Sequence, residues 1–295
     1  MIETRDLTKT FDNFTAVDSL NLKIEKGEFF GLLGPNGAGK TTTISLLSTL
    51  LLPTKGEILI DGQQLTRQRP DLKRKISVIT QEYSMRQDMN MDEIMEYQGR
   101  LYFMPRKQIK ERTEELLEFC DLLKFRKRTV RKLSGGMKRK LMVCRALLTD
   151  PEILLLDEPT AGMDALSRRQ MWNLLRKLNE KNLTILLTTH YMEEAQSLCN
   201  RVALMDHGKL EEVSTPSALI ESLGAYAVDE MTADGTQNHY FHTRQEAIRY
   251  LEELTGQASL RETTLEDVFV ERAGKHLISK YGLLCKREPQ TDTVV

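Results

Sequence analysis

The chain has 295 residues, of which 40% are hydrophobic and 29% are charged, and its formal net charge at pH 7 is −1. This composition is typical of a globular protein of one or two domains, and the near-neutral charge gives no overall field that attracts nucleic acid. No apolar run approaches the ~18 residues needed to cross a bilayer, and the polar start of the sequence predicts no targeting segment.

Over about the first 30 residues, apolar and polar side chains alternate around a turn at Asp12-Asn13, which favours antiparallel strands. A run of β-forming residues, Phe29–Leu33, then leads directly into a glycine-rich loop. A helix-compatible run follows the loop from Lys40 to about Leu51. The sequence therefore predicts strand, loop and helix in direct succession.

This loop matches the pattern G-x-x-x-x-G-K-[ST], which binds the phosphates of a nucleoside triphosphate. Its residues are Gly34, Pro35, Asn36, Gly37, Ala38, Gly39, Lys40 and Thr41. The glycines allow several backbone N–H groups to point inward, and the helix N-terminus adds partial positive charge. Lys40 supplies a full charge for the terminal phosphates, and the hydroxyl of Thr41 is placed to ligate Mg²⁺.

Beyond the loop, Ile58–Ile60 followed by Asp61-Gly62 predicts a strand and a turn, and Ile76–Thr80 predicts a buried strand that ends at Gln81. The composition then changes. From Met85 to about Leu148 there are few β-branched residues and many charged, helix-favouring ones, which predicts a helical insertion.

The segment Leu133–Met137 opens the last helix of this insertion. Ser134 is a good capping residue, and Gly135 and Gly136 would let main-chain N–H groups approach a phosphate closely. Since the first loop already holds the nucleotide, one ATP can use both anion sites only if the second comes from another copy, which predicts a head-to-tail homodimer. The basic run Lys124–Lys140 around this segment is interpreted mainly as a solvated face, and the alternative is that part of it lies near the opposite nucleotide or near anionic lipid.

Two continuous apolar runs, Ile153–Leu156 and Thr184–Thr188, predict parallel strands buried on both faces, joined by a helix over about residues 165–180. Asp157 and Glu158 follow the first strand, and the carboxyl ends of parallel strands face the ligand crevice. Alone, this pair would be interpreted as a solvated strand end. After a phosphate loop, Asp157 suits a metal ligand and Glu158 suits a general base.

After Thr215-Pro216 the pattern changes again. A helix near residues 217–223, strands near Tyr226 and Tyr240, and an amphipathic helix over about residues 244–254 predict a small, separate α+β unit. Within it, the spacing of a threonine and a glutamate at positions 263 and 266 predicts a capped helix start.

The four cysteines are widely scattered, and no pair has the spacing of a metal or redox motif. They are Cys120, Cys144, Cys199 and Cys285. We expect free and inert thiols in a reducing cytoplasm.

The order of these motifs resembles that in the ATP-binding subunit of an ATP-binding-cassette (ABC) transporter, and in particular that in bacterial drug-resistance-type exporter ATPases. The matching elements are the Walker A loop at 34–41, the loop glutamine Gln81, the signature sequence at 133–137, the Walker B pair Asp157 and Glu158, and the switch histidine His190. The similarity covers about residues 1–215, and the ordered motifs are highly specific.

The resemblance implies an α/β fold. It consists of a P-loop NTPase core with a mixed sheet flanked by helices, an antiparallel β subdomain, a helical subdomain and a small C-terminal α+β extension. The ABC ATP-binding domain would occupy residues 1–215, with the helical subdomain at about 85–150. An accessory or regulatory extension would occupy residues 216–295.

The resemblance also implies roles for individual residues. Nucleotide binding is expected of Phe11, Gly34, Pro35, Asn36, Gly37, Ala38, Gly39, Lys40, Thr41, Thr42, Gln81, Ser134, Gly135 and Gly136. Mg²⁺ binding is expected of Thr41, Gln81 and Asp157, and catalysis of Glu158, His190, Gln81 and Lys40. Phe14 is a rival to Phe11 for stacking on adenine. Met137 departs from the family, which usually has glutamine at this position.

The function implied is that of an ATPase motor subunit that dimerises around two ATP molecules and drives a separate membrane permease. It would lie in the cytoplasm, on the inner face of the cell membrane. Export is favoured over import, because importer tails tend to be all-β. The alternative is a soluble ABC ATPase that acts on ribosomes or nucleic acid, but the sequence has neither a second phosphate loop nor the sustained heptads expected of that class. No direct contact with nucleic acid is expected, and the transported substrate is not encoded in this chain.

Overall fold

The structure is a computed structural model that describes residues 1–82, 85–232 and 235–272. The strands are β1 (Ile2–Phe11), β2 (Phe14–Ile24), β3 (Phe29–Leu33), β4 (Lys55–Ile60), β5 (Gln63–Gln64), β6 (Ile76–Ile79), β7 (Ile153–Asp157), β8 (Thr184–Thr189), β9 (Arg201–Asp206), β10 (Lys209–Ser214), β11 (Tyr226–Thr232), β12 (Gly235–Phe241) and β13 (Ala258–Glu262). The helices are α1 (Lys40–Leu47), α2 (Pro70–Arg74), α3 (Met91–Leu101), α4 (Arg106–Phe119), α5 (Gly135–Leu147), α6 (Ala165–Asn179), α7 (Met192–Leu198), α8 (Pro216–Leu223) and α9 (Arg244–Glu253). Residues 265–272 are also helical.

The central sheet has the strand order β10-β9-β3-β8-β7-β6. Its five strands from β9 to β6 are parallel, and only β10 is antiparallel to its neighbour. Every residue of β3, β7 and β8 is buried, as expected of parallel strands that are covered on both faces. The predicted P-loop core with a mixed sheet is confirmed.

A second, antiparallel sheet with the order β2-β1-β4-β5 lies beside the central one. Its apolar face shares one core with helix α1 and with the central sheet, through residues that include Val17 of β2, Ile44 of α1 and Leu155 of β7. This shared burial fixes the first hairpin next to the loop that follows β3.

Helices α3, α4 and α5 pack against one another and form the predicted helical insertion. The first of them begins at Met91, because Asn90 caps it: Asn90 Oδ1 accepts from the backbone N of Glu93 at 3.1 Å, and Glu93 Oε2 accepts from the backbone N of Asn90 at 2.7 Å. The helices α3 and α4 approach closely at Gly99, where a Cβ atom would lie 2.5 Å from the Ile109 side chain.

The described part of the chain divides into two compact units, Met1–Pro216 and a second unit that begins at Ser217. In the second unit the strands form an antiparallel sheet with the order β12-β11-β13, and α9 packs on it. The Arg261 guanidinium joins strand and helix here, since it donates to Asp229 Oδ2 at 2.7 Å and to Asp267 Oδ1 at 2.8 Å.

Two predicted boundaries are wrong. The first helix ends at Leu47 and not near Leu51, because the backbone of Thr49 turns to a left-handed φ of 60°. The predicted cap at positions 263 and 266 lies one residue further along. The backbone N of Thr263 still donates to Ala225 O at 3.0 Å in the manner of a strand, so the cap forms instead between Thr264 and Asp267, whose Oδ2 accepts from the Thr264 backbone N at 2.7 Å.

The cysteines at positions 120, 144 and 199 are buried free thiols, as expected, and burial raises the pKa of Cys144 and of Cys199. Cys285 lies outside the described residues, as does the end of the predicted extension. None of the described helices combines the length and the apolar character that a bilayer span requires.

Candidate functional site

The phosphate loop connects the carboxyl end of β3 to the N-terminus of α1. Gly39 caps this helix with a left-handed φ of 103°, and a Cβ atom there would lie 2.3 Å from the Ala16 carbonyl oxygen, so only glycine fits. At Gly37, where φ is 84°, a Cβ atom would meet nothing within 4 Å. The loop is therefore packed on its protein side and open at Gly37, as an anion-binding loop must be.

The side chain of Lys40 lies inside this loop and is only 6% exposed. Its Nζ donates to Gly34 O at 2.7 Å and to Pro35 O at 2.9 Å. Burial lowers the pKa of Lys40, while the charges of Glu158 and Asp157 act in the opposite direction. The two carbonyl contacts hold the ammonium group at the centre of the loop, where phosphate oxygens can replace them.

The buried carboxylate of Asp157 links the loop to the strands beside it. Its Oδ1 accepts from Thr188 Oγ1 at 2.6 Å and from Thr41 Oγ1 at 3.2 Å. The hydroxyl and the carboxylate that were predicted as metal ligands are thus brought together at the carboxyl edge of the sheet. Both are hard oxygen donors of the type that Mg²⁺ prefers.

Glu158 leaves the strand with a left-handed φ of 47°, where its backbone N donates to Thr188 O at 3.0 Å. A regular strand would send this side chain to the face opposite that of Asp157. Such a backbone costs roughly 1–3 kcal/mol and is typical of functional sites. Here the turn sets Glu158 at the mouth of the phosphate loop.

The structure brings two of the three other predicted catalytic groups, His190 and Gln81, into contact with Glu158. His190 Nδ1 lies 3.0 Å from Glu158 Oε1, and Gln81 Nε2 lies 3.5 Å from Glu158 Oε2. The His190 ring also packs against that of Tyr191 in a tilted arrangement, with 4.1 Å between ring centroids. The carboxylate is therefore held from two sides, and its side chain is only 14% exposed.

An open cavity of 590 Å³ lies over the loop. Its lining consists of Phe14, Ala16, Asn36, Gly37, Gly39, Lys40, Thr41, Thr42, Gln81, Glu158, Ala161 and His190. The aromatic ring in this lining is that of Phe14, which pairs across the first hairpin with Phe11. The stacking role of Phe11 stays a prediction, and the cavity lining favours Phe14 for this role.

The signature sequence does not line this cavity. Ser134, Gly135 and Gly136 start helix α5 and are absent from the lining of the cavity over the chain's own loop. Ser134 Oγ accepts from the backbone N of Met137 at 3.3 Å, which is a helix cap. Because this bond uses only the main chain of Met137, the unusual side chain at this position leaves the capped helix start intact.

Sequence reasoning missed the groups that support the site. Thr188 carries the short bond to Asp157. Glu194, buried in α7, has an Oε1 that accepts from Thr160 Oγ1 and from Trp172 Nε1, both at 2.9 Å, and burial raises the pKa of this carboxyl group. It ties the helix after His190 to the loop after Glu158. Residue types alone do not show that Glu194 belongs to the buried face of α7. The buried residues of this helix are Met192, Glu194, Ala195 and Leu198.

A pair of carboxylates at the carboxyl end of a buried strand, next to a phosphate loop and its lysine, defines a P-loop nucleoside triphosphatase. The comparisons with known proteins specify the family. The family model described as "ABC transporter" matches residues 17–161. The chain is 35% identical to Nod factor export ATP-binding protein I of Cupriavidus metallidurans, over 94% of this chain and 98% of that protein. It is also 35% identical to the linearmycin resistance ATP-binding protein LnrL of Bacillus subtilis, over 80% of this chain and 76% of that protein.

Among solved structures, the chain is similar to a dimeric ATP-binding cassette in a post-hydrolysis state bound to ADP and Pi. The TM-score is 0.66 at 28% identity, over 73% of this chain and 98% of that chain. The chain belongs to the ABC transporter family. It is an ATPase subunit of this family, and the resemblance drawn from the motif order, including that to drug-resistance-type exporter ATPases, is confirmed.

We predict that the ring lining the cavity carries the adenine contact. Phe14→Ala should weaken ATP binding about tenfold, the scale of losing one aromatic stack on a base. The matched variant Phe11→Ala, from the same hairpin, should change the Kd less than twofold in a fluorescence titration. The reverse order of the two effects would assign the stacking role to Phe11.

We also predict that Glu158→Gln lowers the rate of ATP hydrolysis roughly 10²–10³-fold, because it removes one preorganised catalytic group while keeping its shape. The Kd for ATP should stay within twofold. Phosphate release and nucleotide titration measure the two quantities. Glu193→Gln, an exposed carboxylate on α7, is the control and should hydrolyse ATP at the normal rate. A normal rate in Glu158→Gln would refute the assignment.

Proposed function

We propose that two copies of this chain close face to face on two ATP molecules and thereby drive a separate membrane permease. The observation that carries the proposal is the position of Ser134, Gly135 and Gly136. They form a helix start suited to phosphate, yet they do not line the chain's own nucleotide cavity. A two-fold dimer would bring the signature helix of one copy to the cavity of the other. The dimeric state of the 28%-identical cassette supports this arrangement.

Thr41 and Asp157 would hold Mg²⁺ at this site, and the carboxamide oxygen of Gln81 is the third candidate ligand. Thr41 Oγ1 and Asp157 Oδ1 are 3.2 Å apart, which suits two ligands of one ion. When bound, Mg²⁺ neutralises charge on the phosphates.

Glu158 would accept a proton from the water that attacks the terminal phosphate. His190 lies 3.0 Å from one oxygen of this carboxylate, so it can orient Glu158 and also reach the phosphate. Lys40 would exchange its two carbonyl contacts for phosphate oxygens and offset the charge that develops there. Glu158 thus supplies the proton acceptor, and its neighbours supply alignment.

The dimer can be tested with the slow variant. Glu158→Gln with Mg²⁺ and ATP should double in mass by light scattering, whereas the nucleotide-free protein should remain a single copy. Adding Gly135→Asp should prevent the doubling, because it places a negative charge against the partner's phosphates. Asp is favourable in the first turn of a helix, so folding and ATP binding should be kept. A persistent single-copy mass of the Glu158→Gln protein at high concentration would overturn the proposal.

The permease would contact a groove of 440 Å³ that lies beside the helical insertion. Its lining includes three exposed apolar residues, namely Leu50 (60% exposed), Leu101 (56%) and Phe103 (87%). Exposed apolar groups of this size in one groove are typical of an interaction site. Since Thr80, the residue before Gln81, also lines this groove, a partner seated there would lie next to the Gln81 loop.

We expect Phe103→Asp to reduce co-purification of the chain with its membrane protein at least about tenfold, the scale of losing one apolar anchor. Asp tolerates the left-handed φ of 58° at this position, so the subunit should fold and keep its basal ATPase rate within twofold. Met231→Asp, at a 60% exposed site in the second unit, is the matched control. Unchanged retention of the membrane protein, or ribosomes or nucleic acid in its place, would contradict this assignment.

We infer export as the direction of transport, because the relatives are named for Nod factor export and for linearmycin resistance. On this proposal the chain lies on the cytoplasmic face of the cell membrane and reaches the bilayer only through the permease. Residues 216–295 would act as an accessory or regulatory extension of the ATP-binding domain.

A further inference from the structure

Arg139 of helix α5 is 2% exposed, and it is the largest fully buried side chain among the described residues. A buried guanidinium is costly unless its N–H groups are satisfied. Three of its nitrogens make short bonds: Nε donates to Pro159 O at 2.6 Å, Nη1 to Thr80 O at 2.6 Å, and Nη2 to Glu158 O at 2.7 Å. A longer bond of 3.3 Å runs from Nη1 to Gln81 O.

The acceptors of these bonds are main-chain carbonyl oxygens from two loops. Thr80 and Gln81 follow β6, whereas Glu158 and Pro159 follow β7. Each loop carries one of the side chains that meet in the nucleotide cavity. The planar fork of the guanidinium therefore fixes the distance between the backbones of Gln81 and Glu158.

The same contact supports an unusual backbone. Glu158 has its left-handed φ of 47° in the segment where its own carbonyl and that of Pro159 both accept from Arg139. Charge-assisted bonds of this length are stronger than neutral ones and can offset the cost of such a conformation. Without them, the strand end is free to relax and to move the Glu158 carboxylate.

We infer that Arg139 is a positioning residue for ATP hydrolysis: it locks the loops of Gln81 and Glu158 to the helix that begins with the signature sequence. This inference rests on the proposed role of Glu158. The alignment of the catalytic carboxylate then depends on the seating of α5. The end of α5 that would touch the partner's nucleotide is thus joined rigidly to the catalytic loops of its own chain.

The test compares Arg139→Lys with the wild-type protein. Lysine keeps the charge but replaces the planar fork by a point donor that cannot span both loops. The kcat for ATP hydrolysis should fall about 10–100-fold, whereas the KM and the Kd for ATP should stay within threefold. Lys140→Gln, which removes a cation from the same helix, is the control and should keep its kcat within twofold.

A double variant separates positioning from general destabilisation. If Arg139 acts through Glu158, then Arg139→Lys should lower the residual rate of Glu158→Gln less than threefold, because the group it aligns is already lost. Independent effects would instead multiply. A full 10–100-fold further loss, an unchanged kcat in Arg139→Lys, or a loss of ATP affinity equal to the loss of kcat would each overturn the inference.

Folding is checked by thermal unfolding, and Arg139→Gln serves as a second variant that keeps a donor at this position. If neither variant folds, Arg139 is required for the fold itself and the inference is overturned. A failure of this inference can be distinguished from a failure of the proposed function. A normal rate in Glu158→Gln refutes the role of the carboxylate, whereas a slow Glu158→Gln with a normal Arg139→Lys refutes only the positioning role.

Discussion

The register of the parallel strands is the constraint from which the site follows. Leu33 pairs with Thr189 across β3 and β8, and Asp157 pairs with Thr188 across β7 and β8. The three strands therefore end at the same level, and the loops that leave them meet at one edge of the sheet. The bond from Thr188 Oγ1 to Asp157 Oδ1, at 2.6 Å, ties two of these strand ends together. A shift of one residue in β8 would break this bond and carry His190 away from Glu158.

In the proposed dimer, each nucleotide site is divided between two copies of the chain. The chain presents its phosphate loop, its carboxylates and His190 on one surface, while the signature glycines start a different helix. Under the proposed dimer, nucleotide would act as the bridge between two half-sites, so that association and hydrolysis share one ligand. Arg139 would then join the two functions inside each chain, since from the signature helix it contacts the loops that carry Gln81 and Glu158.

Much of the fold could be predicted because its signals are local. Continuous apolar runs marked the strands that became β7 and β8, and the glycine pattern marked the phosphate loop with its helix. Features that depend on packing could not be predicted. The run of basic residues from Lys124 to Lys140 was interpreted as a solvated face, yet Arg139 within it points inward to buried carbonyl groups. Similarly, nothing in the residue types separates the exposed Glu193 from the buried Glu194, or the ring of Phe11 from that of Phe14.

The left-handed backbone at Glu158 restricts which substitutions give a clear result there. Glutamine has the same unbranched stem and can occupy this φ at a similar energy, so it removes the charge and one acceptor oxygen while it keeps the shape. Valine or threonine would add a β-branch in a region that such residues strongly avoid, and the strand exit would rearrange. Activity lost in a β-branched replacement would therefore report a distorted main chain as much as a missing proton acceptor.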